Sequence, residues 1–227
     1  MCGRFVLTAD GIAIQQHFDL ASVPEGLVTA RYNIAPTQPV PVITNEDPTS
    51  LTAQRWGLIP SWAKDPAIGS RLINARAETV HEKPSFRSAF KRRRCLIPAN
   101  GFYEWKREGK TKRPYFVHLK EQALFAFAGL WEVWHSPDGD ELHTCTIITT
   151  EPNAVVSPLH NRMAVILSPD DYDQWLSPDE LPPEALLPLL QPYDADQMDA
   201  YEVSTHVNSP ANDDPTCIEP AGQSRLL

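Results

Sequence analysis

Arg94-Cys95-Leu96-Ile97-Pro98-Ala99-Asn100-Gly101-Phe102-Tyr103-Glu104-Trp105-Lys106 is the stretch on which the fold turns. Its two runs, 95–97 and 102–106, carry the β-branched and aromatic residues of short strands. Downstream, 115–119, 125–131 and 144–149 read the same way, and Arg107-Glu108-Gly109-Lys110 supplies a turn between two of them. Upstream, 3–7 alternates weakly, 40–44 and 51–57 read as strands, and 72–78 starts as a strand and turns helical. A further strand falls at 163–167. The helices are short: 12–18 behind a cap at Thr8 or Asp10, then 83–90, 170–176 and 183–190. Residues 32–36 read as a turn-rich loop, and 60–66, around Trp62, as a loop or a single helical turn. Strands and helices mix without βα alternation, so the expected class is α+β with an antiparallel sheet.

The chain of 227 residues is long enough to bury a real core. With 42% hydrophobic and 22% charged residues, disordered and collagen-like states are excluded. Its 22 prolines against 10 glycines disfavour long helices and coiled coils. No internal repeat or linker divides it, so a single domain over 1–227 is expected, with a loosely ordered polar tail from about 209. No apolar run approaches the roughly 18–20 residues of a membrane helix. The start, Met1-Cys2-Gly3-Arg4-Phe5, lacks a signal core, so the expected location is cytoplasmic, with nucleoid association in a bacterium. The four cysteines, at 2, 95, 145 and 217, form no CxxC pair and read as reduced thiols; no His/Cys spacing implies a metal.

The net charge of −9 speaks against nucleic acid until it is divided along the chain. Residues 51–113 hold 15 Lys and Arg against 5 Asp and Glu, net +10. Residues 151–227 hold 2 against 14, net −12. A basic middle beside an acidic tail fits a local phosphate-binding face, and equally a solvated basic surface balanced by an acidic one. Lys91-Arg92-Arg93-Arg94 reads as a short phosphate or localisation patch. Arg4, Arg87 and Arg162 are scattered in sequence and can converge in space. Trp56, Trp62 and Trp105 lie in or beside the basic segment, where aromatics serve either base stacking or the core.

Chemistry has few candidates. Methionine aminopeptidases remove Met1 when the second residue is small, which leaves Cys2 with a free α-amine. That makes a 1,2-aminothiol: an aldehyde forms an imine with the amine, and the thiol then closes a five-membered thiazolidine. The alternative is an incidental small residue at position 2. Glu104, among aromatics, is either a desolvated acid/base or a strand glutamate facing water. His160 can shuttle a proton or be structural. Asn74 and Arg76 alternate in a strand and share one face, either as an orienting amide with a phosphate clamp or as a satisfied polar pair. No P-loop, GxGxxG, GxSxG or HExxH motif is present.

Several stretches together resemble one family, the SOS-response-associated peptidase (SRAP) domain of abasic-site processing proteins. They are Met-Cys-Gly-Arg-Phe at 1–5, Tyr-Asn-Ile-Ala-Pro at 32–36 and Arg-Trp-Gly-Leu-Ile-Pro-Ser-Trp at 55–62. Next come Ile-Asn-Ala-Arg-Ala-Glu-Thr at 73–79 and the stretch 94–106 quoted above. Phe-Ala-Gly-Leu-Trp-Glu at 127–132 and His-Asn-Arg-Met at 160–163 complete the set. The resemblance implies a single α+β domain with a curved, mainly antiparallel β core flanked by short helices. It implies a protein that binds abasic sites in single-stranded DNA and forms a covalent thiazolidine with the sugar aldehyde through Cys2. It further implies catalytic roles for Cys2, Asn74, Glu104 and His160, and phosphate contacts for Arg4, Arg76 and Arg162. Pro36 and Trp62 match loops that wedge against bases, and Arg87 joins the DNA-binding set. Lyase activity by β-elimination and crosslink reversal are the side reactions it allows. The expected state is a monomer with neither cofactor nor membrane partner. The chain departs from the family at Ala164, where proline is usual. Two rival functions fit the residues: an N-terminal-nucleophile cysteine peptidase acting on peptides or on Met1-Cys2 itself, and a noncatalytic single-strand binder.

Overall fold

The computed structural model of the chain describes residues 2–222. Among these, the strands are β1 (Phe5–Leu7), β2 (Arg31–Ile34), β3 (Pro39–Thr44), β4 (Thr52–Trp56), β5 (Asn74–Arg76), β6 (Arg94–Ala99) and β7 (Gly101–Glu108). They continue with β8 (Thr111–Leu119), β9 (Phe125–His135), β10 (Glu141–Thr150), β11 (Met163–Ala164), β12 (Ile166–Leu167) and β13 (Met198–Glu202). The α-helices are short: α1 (Gly11–His17), α2 (Arg87–Arg92), α3 (Tyr172–Trp175) and α4 (Pro183–Leu186). This is the expected α+β class with mainly antiparallel sheet. No helix among the described residues is long and apolar enough to cross a membrane.

Strands β10, β4, β3, β6 and β9 pair in turn, and β9 pairs back onto β10, so this part of the larger sheet closes on itself. Closure leaves these strands without an open edge. β5 adds to β10 in parallel, with Asn74 opposite Ile147 and Arg76 opposite Thr149. The second sheet runs β13-β8-β7-β1-β2. The chain changes sheet at Asn100, between β6 and β7. Asn100 is pinned there: its N–H donates to Val6 O at 2.8 Å, and its Oδ1 accepts from Thr8 N at 2.7 Å and Ala9 N at 3.0 Å. A Cβ on the next residue, Gly101, would collide with the Phe116 ring, so only glycine fits where β7 begins.

Aromatic rings join the two sheets. Phe5 meets Trp56 edge-on at 5.3 Å and Phe127 at 5.8 Å, and Phe127 meets Phe102 at 6.0 Å. Such pairs contribute about 0.5–1.5 kcal/mol each beyond their burial. The site's N-terminal strand is thus anchored in the main core.

Several expectations are corrected. Residues 31–34 form a strand rather than a loop, because Asn33 is buried and its Nδ2 donates to Val207 O, Ser209 O and Asn212 O. The tail does not fray from about 209. Asp213 accepts from Tyr32 N, Asn33 N and Arg31, Cys217 is buried, and the segment to 222 lies along β2 and β13. The expectation for 223–227 falls outside the described residues. The helix expected at 83–90 sits later, as α2. The strand expected over 163–167 divides in two: β11 pairs with β10, and β12 with β9.

The run Lys91-Arg92-Arg93-Arg94 is not one surface patch. Arg92 pairs with Glu180 and Arg93 with Glu132, while Arg94 is fully buried. The Arg94 guanidinium donates to five backbone carbonyls, those of Phe90, Lys91, Trp175, Ser177 and Asp179. It thereby ties α2 and α3 to β6. Replacing Arg94 with Met should remove about 3–5 kcal/mol, because the carbonyls stay buried without donors. Arg92→Ala, whose side chain is 60% exposed, should stay within about 0.5 kcal/mol of the parent. Urea unfolding of the two variants checks the contrast.

Candidate active site

Cys2 lies just ahead of β1, and β1 has a neighbour on each side. Phe5 pairs with Phe102 of β7 and with Ile34 of β2, and Tyr103 N donates to Arg4 O at 3.0 Å. This short ladder fixes the start of the chain. Asn74, at the head of β5, donates from Nδ2 to Cys2 O at 2.9 Å. Its Oδ1 is buried without a hydrogen-bond partner among the described residues. An amide that holds the Cys2 backbone and keeps a free acceptor is placed to orient a reacting amine or a hydroxyl.

The Cys2 side chain is fully buried, and burial pushes its thiol pKa far up, with the Glu104 charge adding to the effect. The thiol therefore stays protonated near neutrality. Glu104 lies on β7, where alternation places it on the same side as Phe102, facing inward. Burial raises its carboxyl to about 7, opposed by the positive charge at the start of the chain and by the Trp105 N–H. His160 accepts the Arg162 N–H on Nδ1 at 3.1 Å, so the neutral ring carries its proton on Nε2. Burial, then the chain-start charge, then Arg107 and Arg162, keep this histidine below its ordinary value. Met1, whose removal the sequence implies, lies outside the described residues.

The arginines divide into three kinds. Arg4 is half-buried: its guanidinium donates to Asn33 Oδ1 at 2.8 Å, Val207 O at 3.0 Å and Asn208 O at 3.4 Å. Those partners tie the start of β1 to β2 and residues 207–208. Arg162 forks onto Glu78 at 2.6 and 2.9 Å and also donates to Thr149 O at 2.6 Å. Arg76 and Arg87 are exposed. Trp62 is 59% exposed, with Nε1 on Pro84 O at 3.4 Å, whereas Trp56 is wholly buried. Trp105 donates to Asn208 Oδ1 at 2.8 Å. Pro36 sits half-buried before Thr37, whose φ of 72° makes a tight corner.

Two charged residues escaped the sequence reading. Arg107 acts on His160 from β7, and Glu78 holds Arg162 from 84 positions away. Neither contact leaves a mark in local spacing. The described residues also place one group of metal-capable atoms together, on His206, Asp214 and Cys217, all within 4.8 Å of one another. Its donors are already used. His206 pairs with Asp214, Asp214 accepts from Thr216, and Cys217 donates to Asn212 O.

A family model described as SOS response associated peptidase (SRAP) matches residues 1–210. The abasic site processing protein YoqW of Bacillus subtilis is 51% identical over 222 residues, covering 96% of this chain and 99% of that protein. The chicken (Gallus gallus) abasic site processing protein HMCES is 34% identical, covering 86% of this chain and 68% of its own length. A crystal structure of a Bacteroides thetaiotaomicron protein superposes with a TM-score of 0.89 at 31% identity, covering 97% of this chain and all of that one.

Glu104 gives the site a signature in stability. Below pH 4.5 the carboxyl is protonated in both the folded and unfolded states; between 4.5 and about 7 only the folded state keeps the proton. The Glu104 contribution therefore falls as pH rises through this window and is flat above it. Glu104→Gln removes the dependence. The difference between variant and parent stabilities, from urea titrations at several pH values, should grow by on the order of 3 kcal/mol from pH 4.5 to 7.5, in favour of the variant.

Proposed function

The chain belongs to the SOS response associated peptidase (SRAP) family, and on that premise we propose that it captures abasic sites in single-stranded DNA through a thiazolidine at Cys2. The observation that carries this reading is the pairing of a buried N-terminal thiol with a buried carboxyl whose pKa is about 7. The relatives named abasic site processing proteins support the substrate class.

Once Met1 is removed, the neutral Cys2 amine adds to C1′ of the ring-opened sugar, giving a carbinolamine. Protonated Glu104 gives its proton to the departing hydroxyl, and water leaves with formation of the imine. The nitrogen keeps one proton, so this imine is an iminium; the Cys2 sulfur adds to its carbon as the thiol proton passes to the Glu104 carboxylate, which leaves a neutral ring N–H and restores the acid. The sum is one C–N bond and one C–S bond formed, and one water released. A carboxyl titrating near 7 serves both transfers because both of its forms are populated at neutral pH. Burial of the thiol fits this order, since sulfur is required only after the imine exists. Asn74 holds the Cys2 backbone toward C1′. His160, with its proton on Nε2, donates to the sugar ring oxygen as the ring opens.

Arg76, Arg87 and Arg162 line the strand's phosphates, and Pro36 and Trp62 rest against bases beside the lesion. The protein acts as a monomer and without a cofactor. The imine acidifies the C2′ proton, so slow strand scission accompanies capture, and protonation of the thiazolidine by Glu104 permits reversal.

The α-amine is the testable element. Inserting Ala between Met1 and Cys2 keeps the thiol but moves the amine to another residue. Incubation with an abasic oligonucleotide and denaturing electrophoresis should then show no heat-stable adduct without borohydride. Ser at positions 95, 145 or 217 should leave the adduct intact. A heat-stable, unreduced adduct formed by the insertion variant would return the chemistry to an ordinary cysteine.

A further inference from the structure

Glu78 stands where a phosphate is expected. It lies in the turn that follows β5, in which Thr79 N donates to Arg76 O at 3.1 Å, so the chain doubles back beside Arg76. Both of its carboxylate oxygens accept from Arg162, at 2.6 and 2.9 Å. The Arg76 charge acts on the same carboxylate, and the two arginines hold its pKa below the usual range. The Glu78 side chain is 51% exposed and the Arg162 side chain 14%. The carboxylate thus faces solvent, with one arginine gripping it and a second within electrostatic reach. A planar fork on two oxygens is also how guanidinium holds a phosphate.

We propose that Glu78 is a specificity-determining residue, which occupies the phosphate position between Arg76 and Arg162 in the free protein and so weakens binding to undamaged strands. The inference rests on the phosphate-contacting roles proposed above for those two arginines. A strand that enters must displace the carboxylate, or share Arg162 with it against like-charge repulsion. An intact strand has only noncovalent contacts to set against this and leaves quickly. An abasic strand is retained because Cys2 captures it. Discrimination then comes from a repulsive element as much as from an attractive one. The same carboxylate neutralises part of the basic segment in the absence of DNA, which limits indiscriminate binding.

The test is fluorescence anisotropy with an unmodified single-stranded oligonucleotide, over a range of salt, for the parent, Glu78→Gln and Glu78→Ala. Both variants should bind about tenfold tighter near physiological salt. The slope of log affinity against log salt should steepen by about 0.7, as one more phosphate is neutralised. Preference for an abasic over an intact strand should shrink accordingly. Unchanged or weaker binding by both variants overturns the proposal: Glu78 would then position Arg162 rather than compete with DNA. Arg76→Ala and Arg162→Ala separate this from failure of the underlying reading. If they weaken binding while the Glu78 variants leave it unaltered, only the role of Glu78 falls. If they leave binding unchanged, the phosphate contacts themselves fall, and this inference with them.

Discussion

The hydrogen-bonded ladder that holds β1 between β7 and β2 is the constraint on which the site depends. β1 has only three residues, and a chain start of that length would ordinarily fray. Here it is locked on both edges and through its faces. Phe5 enters the aromatic cluster that joins the two sheets, and Asn100 ties the residues after β1 to the point where the chain changes sheet. Arg4 and Asn33 bind each other, and through Val207 they bind the C-terminal segment as well. Cys2, three residues before Phe5, inherits a fixed position from all of these. A reactive group at a chain terminus gains effective concentration only when the terminus is held still.

The electrostatics follow from that placement. A thiol at a chain end in water would ionise readily and react with many partners. Buried beside Glu104, it does not, and the carboxyl in turn is forced up toward neutrality. Burial opposes the charged form of both groups, and the Glu104 charge further opposes the thiolate, so the pocket favours a thiol and a protonatable acid over a thiolate and a fixed anion. That combination suits addition to an imine, in which protons must travel both ways. Along the chain, the +10 segment supplies Arg76 and Arg87 to the exposed surface, whereas Arg94 is buried on carbonyls and Arg93 and Arg113 are paired with Glu132 and Glu202.

The central strands were legible in the sequence because β6 to β10 carry the aromatic and β-branched residues that a pleated, half-buried surface selects. The cap of α1 was legible to within two residues, since of Thr8 and Asp10 it is Asp10 that accepts from Ala13 N. β2 was not, because Asn33 and Pro36 signal a turn locally, whereas Asn33 is satisfied by carbonyls more than 170 residues away. β13 and the segment after 208 were hidden for the same reason: polar residues there find partners on β2 and β8 that no window of sequence contains. Residue types alone left Asn74, Glu104 and His160 open between structural and chemical roles, and it was family resemblance that drew them together. Interactions made through the fold, such as the ion pair of Glu78 with Arg162 and the effect of the Arg107 charge on His160, had no local signal at all.

The central claim is that the α-amine and the thiol of one residue, Cys2, both bond to the same sugar carbon. Intact mass spectrometry after incubation with an abasic single-stranded oligonucleotide, without reductant, tests it most directly. The account predicts a chain lacking Met1, joined to one oligonucleotide with the loss of one water, and a Cys2 that no longer reacts with a thiol-specific alkylating reagent. An adduct that retains Met1, keeps the water, or leaves the Cys2 thiol open to alkylation would contradict it.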